Sequence, residues 1–337
     1  MTIDAKDGFA GLFAGRDNSN STGRVEIRGA TARMDILSTS NTGITIGRDA
    51  TSTGQLLVTD GALVNLGSPA SAFLSIGRDA DARGEVTISG GARLDMSAAT
   101  DSDVTVGAAV IALGRTAGGS GKLDIFGAGA ALRVVDQVII GAPVSLGGGT
   151  GDGAVTVRDG GALTARQVLL GAGGTLAGNG TIAASVVVDG GTVTPGTSPG
   201  TLHVQDGLKV ASGRLHFEIG GIEPGQSDLI EVSGVLELLG GIVEIEFIGG
   251  FVPSPSDSIT LFDAGGGIVS DGSTSFAFAG LPAGVNLGVT IDPTGQVSVS
   301  RALDETEIPA PGGVTLMAIA LAMLGARRHA QPAGLSR

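Results

Sequence analysis

The chain repeats one short phrase at intervals of about thirty residues. The phrase joins glycine, arginine and a small polar residue, and it occurs as Gly15-Arg16-Asp17, Gly47-Arg48-Asp49, Gly77-Arg78-Asp79 and Gly114-Arg115-Thr116. Each copy leads into a small-residue spacer, a glycine, an alternating apolar run, a glycine-rich corner and a second apolar run. A repeat of this length indicates an array in which no unit can bury its own apolar face. We therefore expect function to reside on a long stacked surface.

The spacing of the repeat is uneven. The phrase glycines are assigned to positions 15, 47, 77, 114, 141 and 171, which gives intervals of 32, 30, 37, 27 and 30 residues. Such variation suits a solenoid, because longer corner loops cost little free energy. Within each unit, Val, Ile, Leu or Thr alternates with polar residues, and Gly or Asp-Gly closes the run. This period of two predicts strands, and sustained helical periodicity is missing before the C-terminal end.

Three short strands per unit, with glycine at the corners, predict the coil of a right-handed parallel β-helix. The predicted fold class is thus all-β, a β-solenoid, followed by a short C-terminal hydrophobic helix. Equivalent positions would stack about 4.8 Å apart, so aliphatic side chains would form internal columns. The chain is 42% hydrophobic but has ten Phe and no Trp or Tyr, as a narrow stacked core requires. The 60 glycines are expected at corners, where positive φ is needed.

Composition and charge divide the chain into three predicted parts. Residues 1–206 form the repeat solenoid, 207–303 form acidic coils or a β cap over the terminal edge, and 304–337 form a separate tail. Residues 216–310 hold 14 acidic and one basic side chain, so this stretch carries the excess behind the net charge of −13. Alternating Glu244 and Glu246 would face outward. A solvated face that resists aggregation is the simpler interpretation, and loose Ca²⁺ binding is the alternative. Nucleic acid is excluded as a partner for so acidic a surface.

The arginine and aspartate of the phrase are expected to stack in adjacent columns. Arginines 16, 48 and 78 would occupy one column, and aspartates 17, 49 and 79 the next. An exposed pair of this kind contributes well under about 1 kcal/mol. A structural corner is therefore favoured over a binding ladder.

Three later segments carry a family resemblance. They are Gly171-Ala172-Gly173-Gly174-Thr175-Leu176-Ala177-Gly178-Asn179-Gly180-Thr181-Ile182, then Val186-Val187-Val188-Asp189-Gly190-Gly191-Thr192-Val193, then Pro195-Gly196-Thr197-Ser198-Pro199-Gly200-Thr201-Leu202. Their order, with the repeats before them and matching runs at 227–234 and 259–264, resembles the repeat shared by type V autotransporters and PEP-CTERM proteins over about residues 15–265. The resemblance implies a non-enzymatic, exported protein with a structural or adhesin-like role at the cell surface or in an extracellular matrix.

The tail resembles a PEP-CTERM sorting signal. An acidic spacer (304–307) and a proline-containing break (308–312) precede an apolar run (313–326) and two arginines. The sorting residues that the resemblance implies are Pro309, Ala310, Pro311, Arg327 and Arg328, with Ala310 where the family usually has glutamate. It also implies exosortase-type machinery as a partner, transient insertion into the inner membrane of a Gram-negative bacterium, and delivery to the cell envelope or extracellular polysaccharide.

Physical arguments agree with a membrane-directed tail. The uncharged run from 312 to 326 is short against the roughly twenty residues of a spanning helix, and the arginines after it would stay in the cytoplasm. A core helix of the solenoid cap is the alternative. The polar start, Met1–Asp7, has no apolar signal region, and the repeats begin soon after it. We therefore expect that an export signal stood upstream of this start.

Candidates for chemistry are few. The chain has no cysteine, and His203, His216 and His329 lack metal-ligand spacing or a neighbouring nucleophile. A lyase of the β-helix type would need clustered aspartates for Ca²⁺ and a base to abstract a proton. Asp101 and Asp103 are close in sequence, but no Arg or Lys stands out beside them on a matching coil. We predict no catalytic, cofactor or metal site, with a polysaccharide-active lyase or hydrolase as the alternative.

Overall fold

The computed structural model describes residues 1–6, 8–16, 20–107 and 117–301. The chain divides into one compact unit, Met1–Ala302, and a second unit, Leu303–Arg337. The predicted C-terminal hydrophobic helix therefore lies outside the described residues. Within the described part of the first unit the structure is all-β, and a 3-10 turn at Val144–Leu146 is the one helical element.

The strands are 3 to 15 residues long and follow one another through the described part of the first unit. The first fifteen are β1 (Thr2–Ala5), β2 (Ala10–Ala14), β3 (Thr22–Arg28), β4 (Arg33–Ser38), β5 (Thr42–Ile46), β6 (Thr53–Thr59), β7 (Leu63–Gly67), β8 (Ser71–Ile76), β9 (Arg83–Ser89), β10 (Arg93–Asp95), β11 (Asp101–Val106), β12 (Ala117–Phe126), β13 (Ala131–Arg133), β14 (Gln137–Ile140) and β15 (Thr150–Arg158). The remaining strands are β16 (Ala162–Gly171), β17 (Gly174–Gly178), β18 (Thr181–Pro195), β19 (Thr201–Val204), β20 (Leu208–Ile219), β21 (Leu229–Val232), β22 (Leu236–Leu238), β23 (Ile242–Phe247), β24 (Ser258–Ala264), β25 (Ile268–Ser270), β26 (Ser275–Ala279), β27 (Leu287–Asp292) and β28 (Gln296–Arg301).

Parallel pairing between every third strand builds the solenoid. β1 pairs with β4 and β4 with β7, and the same step connects β2 to β5 and β8, and β3 to β6 and β9. These three series define the first, second and third sides of the coil. Later strands turn corners, so that β18 pairs with β16, β17, β19 and β20. The predicted parallel β-solenoid is thereby confirmed, with about nine turns.

The register stacks aliphatic side chains into internal columns. On the second side Ile46, Ile76, Val106 and Ile140 lie directly above one another, and each is fully buried. The buried residues of all three sides join one main hydrophobic core that runs through the coils. Because each coil contributes one side chain to each column, no coil has a core of its own.

Glycine makes the corner between the second and third sides. Gly77 has a φ of +64°, and a Cβ on it would lie 2.1 Å from the carbonyl oxygen of Ser120 on the next coil. Glycines 15, 47, 107 and 141 have φ values of 55° to 72° and make the same kind of close approach. The predicted corner role is confirmed for glycines 15, 47, 77 and 141, because only glycine fits both the conformation and the space. Gly171 instead lies at the end of β16 and has no positive φ.

The sequence assignment of the fourth corner is wrong. Val106 pairs with Ile76, and the N–H of Gly107 donates to the carbonyl of Ile76 at 2.8 Å, as the N–H of Gly77 does to Ile46 at 2.9 Å. Gly107, and not Gly114, is therefore the corner glycine of this coil. The Gly114-Arg115-Thr116 phrase lies outside the described residues, within an insertion between Gly107 and the next strand.

Parallel strand pairing continues past residue 206 and gives way to antiparallel pairing at the last strands. β20 pairs with β18 below it and with β22 and β23 above it, so parallel stacking extends to β26. The last two strands form an antiparallel hairpin, and β28 lies antiparallel along β24. The hairpin covers the edge of the first side, which would otherwise present unpaired backbone groups.

Candidate functional site on the second side

The polar side chains on the outside of the second side form the strongest candidate site in the described residues. Asp101 and Asp103 lie on β11 and face outward between buried neighbours, because alternate residues of a strand point to opposite faces. Asp136 comes immediately before β14 on the next coil. One carboxylate oxygen from each of the three lies within 4.8 Å of the other two. The stacking thus joins residues that are more than thirty positions apart.

An arginine from a third coil completes this cluster. The Nε of Arg166 on β16 donates to the Oδ1 of Asp136 at 2.5 Å, and its Nη2 contacts the same oxygen. The expectation that no basic residue stands beside Asp101 and Asp103 on a matching coil is therefore wrong. The register of the strands explains the contact. Gln137 of β14 aligns with Gln167 of β16, and this alignment places Arg166 beside Asp136.

The close carboxylates perturb one another. A hydrogen bond shared between Asp101 and Asp136 raises the pKa of Asp101 and lowers that of Asp136, and the bond from Arg166 lowers the pKa of Asp136 further. Burial raises the pKa of Asp103, although the N–H of Gln137 donates to its Oδ1 at 3.2 Å. The cluster therefore holds one proton more readily than separate carboxylates would.

Carboxylate oxygens at this spacing are the ligands that Ca²⁺ takes. Asp101, Asp103 and Asp136 could hold such an ion, with Arg166 competing for Asp136. The cluster lies outside the acidic 216–310 stretch, where loose Ca²⁺ binding was the alternative interpretation. In that stretch, Glu244 and Glu246 flank His216, at 3.7 Å from its Nδ1 and 3.5 Å from its Nε2 respectively.

Phenylalanine rings lie on the same outer surface. Phe73 of β8 aligns with Asp103, and its ring covers Gly43, where a Cβ would lie 2.3 Å from the ring. Phe9 stacks on Phe73 with the ring centroids 5.8 Å apart, and Phe9 is 45% exposed. An aromatic surface therefore adjoins the carboxylate cluster, although the chain has neither Trp nor Tyr.

The remaining predicted sites divide into described and undescribed ones. His203 and His216 occupy strands β19 and β20, as expected, and the Nδ1 of His203 lies 2.8 Å from Glu231. The implied sorting residues and His329 lie outside the described residues. Over the part of the chain that the structure describes, we find no helix with the length and apolar character needed to span a bilayer.

The phrase arginines and aspartates stack as predicted where they are described. The N–H of Arg78 donates to the carbonyl of Gly47 at 2.8 Å, and that of Asp79 to the carbonyl of Arg48 at 3.2 Å. Within the phrase, Arg78 Nε lies 3.0 Å from Asp79 Oδ1. Both side chains are about one-third exposed, so this pair adds little stability. The columns support the interpretation of the phrase as a structural corner.

The described unit therefore defines a parallel β-solenoid with a polar and aromatic outer surface. Comparison with the models of known protein families and with curated proteins finds no match for this chain.

The arrangement predicts how the cluster titrates. Replacing Arg166 with Gln removes the cation from Asp136, so the pKa of Asp136 should rise towards its ordinary value. Carboxyl ¹³C NMR titration measures this change directly. Arg24→Gln is a matched control, since Arg24 pairs with Glu26 on another side of the solenoid. An Asp136 titration curve that is identical in wild type and Arg166→Gln would contradict the described contact.

Proposed function

We propose that this chain is a non-enzymatic, exported β-solenoid that presents its stacked surface at the cell surface or in an extracellular matrix. The observation that carries the proposal is the stacked outer face of the third side, where small residues align on three successive coils between charged positions. There Ala154, Thr175 and Thr192 align in one column, beside a second column of small residues. Such a repetitive surface suits a structural or adhesin-like role, since it offers several equivalent contacts along the stack.

Several finer features belong to the same proposal. The coil is right-handed, as parallel crossovers almost always are. The C-terminal run forms a short hydrophobic helix, and Pro309, Ala310 and Pro311 mark the cleavage region for exosortase-type machinery. Arg327 and Arg328 hold the end of the helix in the cytoplasm until cleavage. The family resemblance and the apolar run support this route through the inner membrane.

A specific observation favours a second candidate function. Asp101, Asp103 and Asp136 could hold Ca²⁺ against an acidic sugar, and Arg166 is the basic residue that a lyase would use to take a proton. Phe73 offers an apolar surface next to them. The guanidinium of Arg166 is bound to the Asp136 carboxylate, which argues against its action as a base and makes the binding role the better supported one.

A polysaccharide screen separates the two functions. We expect the purified full-length chain to bind matrix polysaccharides without turnover, whether or not Ca²⁺ is present. Release of unsaturated or reducing ends would be the contrary result, provided that Asp103→Asn abolishes it. Asp159→Asn serves as the control, since Asp159 lies in the corner after β15 and its side chain is 51% exposed.

The tail makes a separate prediction about location. In a host that carries an exosortase, with an export signal fused upstream, the mature protein should end near Pro309–Pro311. Mass spectrometry of the C-terminus measures this end. A mature mass that still includes Arg337 contradicts cleavage, and recovery of that intact form from the cytoplasm contradicts the membrane route as well.

A further inference from the structure

A buried carboxylate holds one corner of the solenoid together. The segment 195–200 connects β18 to β19, and Asp228 lies just before β21 on the next coil. The Oδ1 of Asp228 accepts the N–H of Gly200 at 2.8 Å, and its Oδ2 accepts the N–H of Glu218 at 2.8 Å. Asp228 is only 2% exposed. One carboxylate therefore joins the corner segment to the end of β20.

The corner is built to admit this side chain. A Cβ on Gly196 would lie 2.4 Å from the Oδ1 of Asp228, so glycine at this position leaves the space that the carboxylate fills. The hydroxyl of Ser198 donates to Glu218 at 2.5 Å, and the N–H of Leu229 donates to the carbonyl of Gly200 at 3.1 Å. These contacts converge on a segment of which Thr197 and Ser198 are exposed.

The surroundings of Asp228 disfavour its charged form. Burial is the main cause, and the nearby carboxylate of Glu218 acts in the same direction. The two N–H donors and His216 favour the charged form instead. The net result is that the pKa of Asp228 rises to about 6. Glu246 on β23 pairs with Glu218 in register and lies 3.5 Å from the Nε2 of His216. The corner segment has no titratable side chain of its own. On the neighbouring strands, His203 of β19 contacts Glu231 of β21.

We propose that Asp228 and the 195–200 corner form a pH-sensitive latch, which is closed in mildly acidic solution and opens more readily in neutral solution. The sign follows from linkage. Opening exposes the carboxylate to water, where its pKa returns towards 3.8, so the closed form binds the proton more tightly. Lower pH therefore favours the closed latch, and the free energy of opening decreases as the pH rises through the range from about 4 to about 6. This proposal does not depend on the proposed function.

Amide hydrogen exchange of the full-length chain tests the latch. The N–H of Gly200 is bonded to Asp228 itself, so its protection factor, corrected for intrinsic exchange, reports opening. We expect this factor to fall about tenfold between pH 5 and pH 7.5. The N–H of Gly77, which donates to a backbone carbonyl at 2.9 Å, should show no such change. An unchanged Gly200 factor would overturn the proposal.

Two variants identify the titrating group. Asp228→Asn removes the ionisable carboxyl, so the pH dependence at Gly200 should disappear, and its persistence would assign the effect elsewhere. Glu218→Gln leaves Asp228 in place and removes the nearby negative charge that raises its pKa. In this variant the midpoint of the change should move to lower pH. A midpoint equal to that of wild type would contradict the assignment even if Asp228→Asn fails to fold.

Discussion

Ile76→Asp should destabilise the solenoid more than any other single change considered for this chain. Ile76 is fully buried between Ile46 and Val106, and the aspartate would have no cation near it in that column. Loss of the apolar side chain and burial of an unpaired charge together cost roughly 4 kcal/mol or more. This is a large part of the roughly 5–15 kcal/mol that stabilises a typical domain. Thermal unfolding followed by circular dichroism should show a lower midpoint temperature and a weaker β-sheet signal before the transition.

Stacking predicts that the damage spreads to adjacent coils. Limited proteolysis of Ile76→Asp should cut within the coils that contain Ile46 and Val106 as well as within its own, because neighbouring coils share each column. Ala154→Asp is the matched control, since Ala154 faces outward on β15 next to Lys122. The control should stay within about 0.5 kcal/mol of wild type. A wild-type melting curve for Ile76→Asp would contradict the stacked core.

Gly77→Ala should have the second largest effect, although it adds a single methyl group. That methyl would lie 2.1 Å from the carbonyl oxygen and 2.4 Å from the carbonyl carbon of Ser120, so the backbone of one coil must move. Alanine at a φ of +64° costs roughly 1–2 kcal/mol in addition. We expect a total loss of about 2–4 kcal/mol in the free energy of unfolding. Chemical denaturation monitored by circular dichroism measures it.

Gly249 offers a control that isolates the free-energy cost of placing alanine at a positive φ. Its φ is +63°, and a Cβ there would meet no atom within 4 Å. Gly249→Ala should therefore lose only the roughly 1–2 kcal/mol that belongs to the backbone conformation. The difference between the two variants gives the cost of close approach between coils. Equal losses would show that space at the corner is not limiting.

Much of the fold could be predicted because the strand period and the corner glycines are local signals. Ile76 and Gly77 needed only their own repeat unit to be assigned to a core column and a corner. The fourth corner was missed because the residues after Gly107 include an insertion that carries its own Gly-Arg phrase at Gly114. A local pattern cannot show which of two glycines stacks on Gly77, since that depends on pairing between coils.

The candidate site was harder to predict for the same reason. Asp136 and Arg166 come together with Asp101 only after two coils are set in register, and uneven corner lengths hide that register. Alignment of Val106 with Ile76, and of Ile140 with Val106, is the signal that could have found them. Asp228 gave no signal at all, because an aspartate before a strand usually lies at the surface.

The corner glycines have a consequence for how such a chain can change. Six residues separate Gly47 from Gly54 and Gly77 from Gly84, whereas thirteen separate Gly107 from Gly121 and eleven separate Gly141 from Gly153. Yet Gly54, Gly84, Gly121 and Gly153 remain aligned in one column of the third side. Chain length therefore varies at this corner while the register of the third side is kept from Gly54 to Gly153. The corner is a natural place for new sequence to be gained or lost, and the ladder of coils can diversify along one edge while its interior stays the same.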